Sequence, residues 1–238
     1  LESLPVRLSF DLGEVTLTLA QVHALQVGQA LTLDHPLQGA VRIRANGALI
    51  GEGDLVEVNH AIGGEMACRH LLELGHPRVA CISGPPGLSP SSQRRAGWKD
   101  ALDKAGVERK ESDLARGDFT ARGGYLAMQT LLKRRPRPTA VFACNDLMAM
   151  GAIRALQEQG LSVPHDISVI GYDNIAFAAY LNPPLTSISQ PKQELGQLAV
   201  QSLLERIQQP QLPGRTLRLE PDLVLRDSTS PPRSLADE

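Results

Sequence analysis

Polar residues that could bind a ligand follow short apolar segments of this sequence. Asn145 and Asp146 come directly after TAVFAC, and Asp173 ends DISVIGYD. Arg94 and Arg95 lie in a stretch with helical periodicity. An arginine fork or a carboxylate can hold two adjacent hydroxyl groups through charge-assisted hydrogen bonds. Structural interpretations stay open: Asp146 is favoured as a helix N-cap, Asp173 could be a loop residue, and the arginines could form a solvated face.

Motifs for catalysis are missing from the sequence. It contains no G-x-S-x-G, H-E-x-x-H or G-x-G-x-x-G, and the loop SGPP lacks the Lys-Ser/Thr pair that a phosphate cradle needs. Asp173 has no second acid in an evident glycosidase pair. Cys68, Cys81 and Cys144 lie inside apolar runs without ligand-type spacing, which indicates small buried thiols in a reducing compartment. We therefore predict a binding protein, not an enzyme, with no cofactor and no metal.

Composition limits the possible partners. The net charge of −2 over 238 residues provides no positive surface for nucleic acid. No apolar run approaches the ~18 residues that cross a bilayer. The start of the chain, LESLPVRLSF, lacks the features of a signal peptide. These observations predict a cytoplasmic protein with no membrane partner.

Residues 5–57 alternate apolar and polar side chains with a period of two. Val6, Leu8 and Phe10 alternate with polar residues, and EVTLTL and AVRIRA continue the pattern. Asn46-Gly47 is a hairpin-turn signal, and a short helical turn fits residues 21–25. The pattern predicts a small all-β unit. Because such a unit buries little core, we expect it to associate.

After residue 58 helical stretches alternate with short apolar strands. This order predicts right-handed βαβ units and a parallel sheet, followed by a disordered tail at residues 229–238. Trp98, His70 and His76 are expected to be structural. The predicted helices cover about 62–74, 91–105, 121–133, 146–159 and 193–208, the predicted strands cover 78–83, 139–144 and 166–173, and residues 215–227 are expected to be extended.

Six collinear segments resemble the ligand-binding domain of the lactose-repressor family, in particular its ribose-repressor-like members. They are HLLELGHPRVACISGP, RRAGWKDALDKAG, GDFTARGGYLAM, TAVFACNDLMAMGAIRAL, VPHDISVIGYDN and NPPLTSISQPKQELGQLAV, and they run through residues 59–238. The resemblance implies an α/β, parallel-sheet, periplasmic-binding-protein-like (Rossmann-like) lobe. Its domain is expected at residues 59–228.

The resemblance also implies a ligand site at the carboxyl ends of the parallel strands. Its matching positions are Arg94, Phe119, Asn145, Asp173 and Gln190. Each residue type suits a ribose-like sugar, since Asn145 both donates and accepts and Phe119 can stack on the apolar face of the ring. Another pentose or a purine-like effector would use similar side chains.

Residues 1–58 resemble the SPOA domain of flagellar switch and type III secretion ring proteins. The similarity lies in LPVRLSFDLGEVTLTLAQVHALQVGQALTL and VRIRANGALIGEGDLVEV. It implies intertwined β dimers, hence a homodimer and SPOA-type protein partners. The junction of the two resemblances near residue 58 suggests a chimera, a misassembled gene or an engineered fusion. DNA is expected as a partner only in a full-length parent that carries a helix-turn-helix.

The family's first pass through its lower lobe has no counterpart here, so we expect weaker sugar binding than in an intact repressor. The helix at 193–208 should also have an apolar side that another chain covers or that stays exposed. That side comprises Leu195, Leu198, Ala199, Leu203 and Ile207. Two functions compete: a non-catalytic sugar-binding effector domain, and a structural ring protein that acts through SPOA dimerisation.

Overall fold

The computed structural model describes residues 8–11, 41–45, 48–108, 110–209 and 211–233. Two compact units contain them. Unit 1 takes its residues from 1–58 and 191–219, and unit 2 takes its residues from 59–190 and 220–238. The predicted helical turn at 21–25, the alternating segment EVTLTL and the Asn46-Gly47 turn lie outside the described residues.

Unit 1 contains an antiparallel three-stranded sheet. Strands β1 (Leu8–Asp11), β2 (Val41–Ala45) and β3 (Ala48–Gly53) follow one another in space as in sequence. Phe10 pairs with Ile43, and the register shifts after Ile43 in the β2–β3 pair. The three strands lie within the stretch for which the sequence predicts strands.

The rest of unit 1 combines residues from both sides of the predicted junction. Strand β4 (Leu55–Val58) pairs in parallel with β10 (Thr216–Leu219), and helix α5 spans Lys192–Gln208. Asp54, just before β4, accepts hydrogen bonds from Ser202 of α5 and from Arg215 just before β10. Unit 1 therefore joins the SPOA-like stretch with two repressor-like elements.

Unit 2 is built on a six-stranded sheet in the order β11-β9-β8-β7-β5-β6. Neighbouring strands of this sheet are parallel, except for the antiparallel pair β11 and β9, and this confirms the predicted α/β class. The sequence reading missed β6 and β9 because LAR and TSIS are too short and polar to stand out. The strands are β5 (Val79–Ser83), β6 (Leu114–Arg116), β7 (Ala140–Ala143), β8 (Ser168–Asp173), β9 (Thr186–Ser189) and β11 (Asp222–Val224).

Four helices pack on this sheet in two pairs. Helix α1 (His60–Glu73) lies against α2 (Ser89–Lys104), and α3 (Ala121–Leu132) lies against α4 (Asp146–Glu158). Side chains of Asn59, Thr120 and Asn145 cap three of the helices by accepting a backbone N–H three residues on. Their bounds agree with the predicted ones to within about two residues.

The core of unit 2 consists of small and branched apolar side chains, and Trp98 and all three cysteines are buried within it. His76 is buried too, between the Thr139 hydroxyl and the Ser230 carbonyl. These findings confirm the structural interpretation of Trp98 and His76. Ser230, which the sequence assigns to a tail, also donates its backbone N–H to Ser168. Within the described ranges, no helix is long and apolar enough to cross a membrane.

Candidate ligand-binding site

All five predicted site residues lie in unit 2 near the carboxyl ends of its parallel strands. Asp173 ends β8, Gln190 follows β9, Asn145 follows β7, and Phe119 follows β6. Arg94 comes from α2, the helix that follows β5. Polar groups collect here because every parallel strand of an open α/β sheet ends at the same edge.

Arg94 is the centre of this cluster. Its side chain is 6% exposed, and its Nη1 lies 3.2 Å from Asp173 Oδ1 and donates to the Cys144 carbonyl at 2.6 Å. Gln190 donates to the same Asp173 oxygen at 2.6 Å. The Arg94 guanidinium lies 3.7 Å from the ring centre of Tyr172. Its buried Nε has no hydrogen-bond partner.

Phe119 and Asn145 complete the cluster. The Arg94 guanidinium lies 6.0 Å from the Phe119 ring centre, and Asn145 Nδ2 donates to the Phe119 carbonyl at 2.9 Å. Gly84, which directly follows β5, leaves room for the Phe119 ring, because a Cβ atom there would lie 2.3 Å from that ring. The structure therefore brings the five predicted residues together.

Asn145, not Asp146, caps helix α4, so the predicted cap at Asp146 is wrong. Asn145 Oδ1 accepts the Met148 N–H at 2.9 Å. Asp146 lies in the first turn and is fully buried, where it accepts from the Ser187 hydroxyl at 2.6 Å and the Ile175 N–H at 2.8 Å. Asp146 thus ties α4 to β9. Both polar atoms of the Asn145 amide already have a partner in the fold, since Oδ1 accepts from Met148 and Nδ2 donates to the Phe119 carbonyl. Asn145 therefore stabilises the fold in addition to its predicted role toward a ligand.

His60 and Tyr172 belong to the cluster and were missed in the sequence. His60 Nδ1 lies 3.2 Å from the Tyr172 hydroxyl and 3.5 Å from Arg94 Nη2. Because a guanidinium only donates, Nδ1 is the unprotonated nitrogen. Burial, together with the Arg94 charge, lowers the pKa of His60 to about 4. His60 precedes the predicted start of its helix, and Tyr172 looked like an apolar strand residue, so neither gave a usable signal.

Burial raises the pKa of the Tyr172 hydroxyl above its usual value. Tyr172 and His60 are therefore both neutral at pH 7, so neither side chain adds a charge beside the Arg94 guanidinium. The ring of Tyr172 fits against α1 because Gly63 leaves room: a Cβ there would lie 2.4 Å from the hydroxyl oxygen.

Backbone strain accumulates at the same place. Phe119 and Asp173 adopt φ angles of 66° and 103°, and Asn174 has 46°. These are the non-glycine residues with positive φ among those described, and two of them are predicted ligand residues. Such conformations are uncommon for residues with a side chain and often occur at functional sites.

This arrangement offers charged donors, a carboxylate and an aromatic ring. A guanidinium and a carboxylate 3.2 Å apart can bind adjacent hydroxyl groups that both donate and accept. Among the described residues, no group of three or more His, Cys, Asp or Glu side chains could hold a metal ion. The chemistry that these side chains supply is recognition of a polar ligand.

Residues 68–229 match the family of periplasmic binding protein-like domains, and the chain belongs to this family. It is similar to the ribose operon repressor of Escherichia coli (strain K12), with 45% identity over 178 residues. The repressor PurR of Edwardsiella ictaluri is also 45% identical, over 177 residues. These matches cover 75% and 74% of this chain but 54% and 52% of the relatives. The chain thus spans about half the length of these curated relatives.

Solved structures have the same fold. A LacI family transcriptional regulator from Enterococcus faecium with bound ribose superimposes with a TM-score of 0.69 and 39% identity, covering 75% of this chain and 66% of that one. A CelR–cellobiose complex of a transcriptional regulator gives a TM-score of 0.70 and 38% identity, covering 74% and 54%. The class is therefore that of LacI-type effector-binding domains.

A second family matches the start of the chain. Residues 1–69 fit the C-terminal domain of the type III flagellar switch regulator FliN, a component of the C-ring. This match includes β4 and the first part of α1. It overlaps the periplasmic binding protein-like match by two residues, 68 and 69.

Proposed function

We propose that this chain is the effector-binding part of a transcriptional repressor and that its effector is a small sugar of the ribose type. The observation that carries the proposal is the buried Arg94 guanidinium beside Asp173, with Nε left without a partner. An unpaired buried N–H is costly, and a ligand oxygen that reaches it would remove that cost. The site residues of this proposal are Arg94, Phe119, Asn145, Asp173 and Gln190.

A sugar suits the cluster better than a purely anionic ligand. Asp173 would repel a carboxylate or phosphate, whereas a pair of hydroxyl groups can donate to Asp173 and accept from Arg94. Phe119 adds a flat apolar surface for the C–H face of a ring. The relatives support this choice, since they include a ribose operon repressor and a regulator solved with bound ribose.

Isothermal titration with D-ribose tests the proposal on the full chain. Heat of binding should be seen for the chain as given and should be lost in Arg94→Lys, because lysine cannot reproduce the planar fork. The matched control is Arg95→Lys, the neighbouring arginine of α2, which should bind like the unchanged chain. Binding that survives Arg94→Lys would contradict the assigned site.

A purine is the main alternative ligand, because a flat base with polar edges would use the same types of side chain, namely Phe119 for stacking and Arg94 and Asp173 for hydrogen bonds. Hypoxanthine and guanine should therefore be titrated beside D-ribose. Heat of binding with a purine but not with ribose would indicate that the same residues bind a purine base and not a sugar. The measured affinity also tests the expectation that this chain binds ribose more weakly than an intact repressor, which a micromolar constant would contradict.

The remaining expectations concern partners and location. We propose a non-catalytic role, homodimer formation and a cytoplasmic location, as suits a repressor. Contact with DNA is proposed only for a full-length parent that carries a helix-turn-helix. Electrophoretic mobility shift of such a parent on its operator, with and without D-ribose, would test whether the effector controls DNA binding.

A second candidate function rests on the match of residues 1–69 to the FliN C-terminal domain. In this reading the chain is a structural component of a flagellar or type III secretion ring that acts through SPOA-type dimerisation. Mixing the full chain with a purified flagellar switch protein and following the size of the complex distinguishes the two functions. A stable complex together with no response to sugars or purines would favour the ring protein.

A further inference from the structure

A hollow of about 750 Å³ lies between helix α2 and the edge strand β6 of unit 2, and we call it the α2–β6 hollow. Its apolar lining consists of Trp98, Val107 and Leu114. The indole of Trp98 is held in place, because its Nε1 donates to the Val79 carbonyl at 3.2 Å. Small-molecule sites have volumes of roughly 300–1,000 Å³. The hollow therefore has room for a small ligand.

Three unpaired cationic side chains also line the α2–β6 hollow. Arg95 and Lys99 lie one turn apart on α2, and Arg116 ends β6. Within the described ranges, the side chains of these three residues have neither a hydrogen bond nor an ion pair. By contrast, Lys104 at the end of the same helix pairs with Glu65 at 2.6 Å. Three such cations around one hollow indicate a site for an anion.

We propose that the α2–β6 hollow is a second ligand site and that it binds the phosphate group of a small phosphate monoester. Like charges four residues apart on a helix repel one another, and Arg116 adds a third positive charge. A phosphate dianion would remove this repulsion, and planar arginine forks suit its oxygens through charge-assisted hydrogen bonds. Arg95 and Lys99 are half buried, so salt screens their attraction for an anion less than it would at an open surface.

The other end of the hollow is mostly acidic, and its charged residues are Asp103, Glu108, Lys110 and Glu111. Lys110 pairs with Glu108 at 3.7 Å, which leaves this end negative. Asp103 follows Arg95 by eight residues on α2, so about 12 Å of helix separates the two charges. A second phosphate group or a nucleic acid would be repelled by this end. The charge pattern therefore selects a monoester whose other end is neutral or cationic.

The α2–β6 hollow is separate from the Arg94 cluster. Arg94 and Arg95 are neighbours on α2, but the buried Arg94 side chain contacts Asp173 and the Cys144 carbonyl and does not line the hollow. None of the other four proposed effector residues lines it either. A phosphate monoester and the effector can therefore bind at the same time, and the test of this second site does not depend on the proposed function.

Tryptophan fluorescence reports directly on the hollow, because Trp98 is the only tryptophan among the 238 residues. Titration of the full chain with O-phosphoethanolamine at constant ionic strength should change the fluorescence until the site is saturated. Inorganic phosphate should bind more weakly, because it lacks the ammonium group that the acidic end attracts. Fructose bisphosphate should also bind more weakly, because it carries a phosphate at each end. Isothermal titration of the same samples detects any binding that leaves the fluorescence unchanged.

Substitutions test both ends of the hollow. Arg95→Gln should raise the Kd for O-phosphoethanolamine about tenfold, because a hydrogen bond to a charged group is lost. The matched control is Lys133→Gln, which removes an exposed charge of unit 2 outside the hollow and should leave the Kd unchanged. Glu111→Gln should strengthen the binding of fructose bisphosphate.

The proposal would be overturned if neither fluorescence nor heat showed saturable binding of O-phosphoethanolamine. Binding that Arg95→Gln does not weaken would place the phosphate elsewhere and would equally overturn it. Tighter binding of fructose bisphosphate than of O-phosphoethanolamine would contradict the selection by the acidic end. Circular dichroism of each variant shows whether the fold is retained.

Discussion

Each unit contains a buried arginine–aspartate cluster, and the two are built differently. In unit 1, Asp54 accepts from Arg206 Nη2 at 2.5 Å, from Arg215 Nη2 at 3.0 Å, from the Arg215 backbone N–H at 2.9 Å and from the Ser202 hydroxyl. Its side chain is 5% exposed. In unit 2, Asp173 is 25% exposed, and Arg94 and Gln190 share one of its oxygens.

The backbone conformation of the two clusters also differs. Asp173 and Phe119 hold positive φ angles beside Arg94, while the described residues of unit 1 contain no such non-glycine conformation. A carboxylate with four donors on relaxed backbone fixes a fold. A carboxylate that is one quarter exposed and lies on strained backbone costs stability, and such a cost is typical of positions that bind something. The comparison teaches that two clusters with the same residue types can differ in burial and in backbone strain.

The largest expected effect comes from Asp54→Ala. Arg206 and Arg215 would lose the carboxylate that holds them, and removing one member of a buried ion pair costs about 2–4 kcal/mol when the partners are partly exposed. Hydrogen exchange should therefore accelerate in α5 and β10. Exchange in the strands of unit 2 serves as the internal control. Unchanged protection of α5 would show that Asp54 does not stabilise unit 1.

As the pH falls, unit 2 should lose stability at a higher pH than the Asp54 cluster of unit 1. The folded pKa of His60, about 4, lies below its unfolded value of 6.5, so stability is fully present above that unfolded value and is lost as pH falls toward 4. Burial also lowers the pKa of His70 and His76. Burial alone would raise the pKa of Asp54, but its hydrogen bonds from Ser202, Arg206 and Arg215 outweigh this and keep it well below its usual value.

Urea unfolding at pH 7 and pH 5 measures this difference. We expect His60 to contribute about 1 kcal/mol of the loss at pH 5, after allowance for its partial exposure. His60→Gln should remove that part of the pH dependence. An identical slope in the unchanged chain and in His60→Gln would show that His60 titrates normally.

Replacing Asp173 separates strain from charge. Asp173→Asn and Asp173→Gly both remove the carboxylate, but glycine adopts a φ of 103° without a steric cost. Asp173→Gly should therefore be more stable than Asp173→Asn by about 1 kcal/mol in urea unfolding. D-ribose binding should be lost in both. Equal stabilities would mean that the backbone at Asp173 is not strained.

The smallest effect is expected for Glu57→Gln. Glu57 pairs with Arg218 at 2.5 Å across β4 and β10, but the arginine is 56% exposed. Exposed ion pairs contribute about 0.2–1 kcal/mol, and salt screens them. The urea midpoint should shift by little, and less still in high salt. A loss as large as that of Asp54→Ala would mean that the number of donors is not what distinguishes the two carboxylates.

Helix periodicity and apolar strands sufficed to predict the α/β sheet of unit 2 and most of its element bounds. The site residues came from the family resemblance. Parallel topology accounts for Asn145 and Asp173 lying at one edge, whereas Gln190 follows β9, which the sequence pattern missed. Sequence reasoning failed where three-dimensional proximity decides: His60 joins Arg94 across 34 residues, and Asp146 turns toward Ser187 across 41. Neither contact produces a periodic pattern of residues by which the sequence could indicate it.

The orientation of α5 was also only half predictable. Its apolar residues were evident, but which side packs depends on Asp54, which lies 148 residues before Ser202. A buried carboxylate with two arginines and a serine turned the polar side inward. Long-range charge pairing of this kind overrides amphipathicity, and no local pattern indicates it.

The pairing of β4 with β10 limits where this protein can be truncated. The place where the two family resemblances meet is not a place where the chain can be cut. Cleavage after Val58 would take from Thr216–Leu219 the neighbour to which it hydrogen-bonds and would remove the only described anion that holds Arg206. A variant that lacks residues 1–58 is therefore expected to lose the order of β10 and α5 as well.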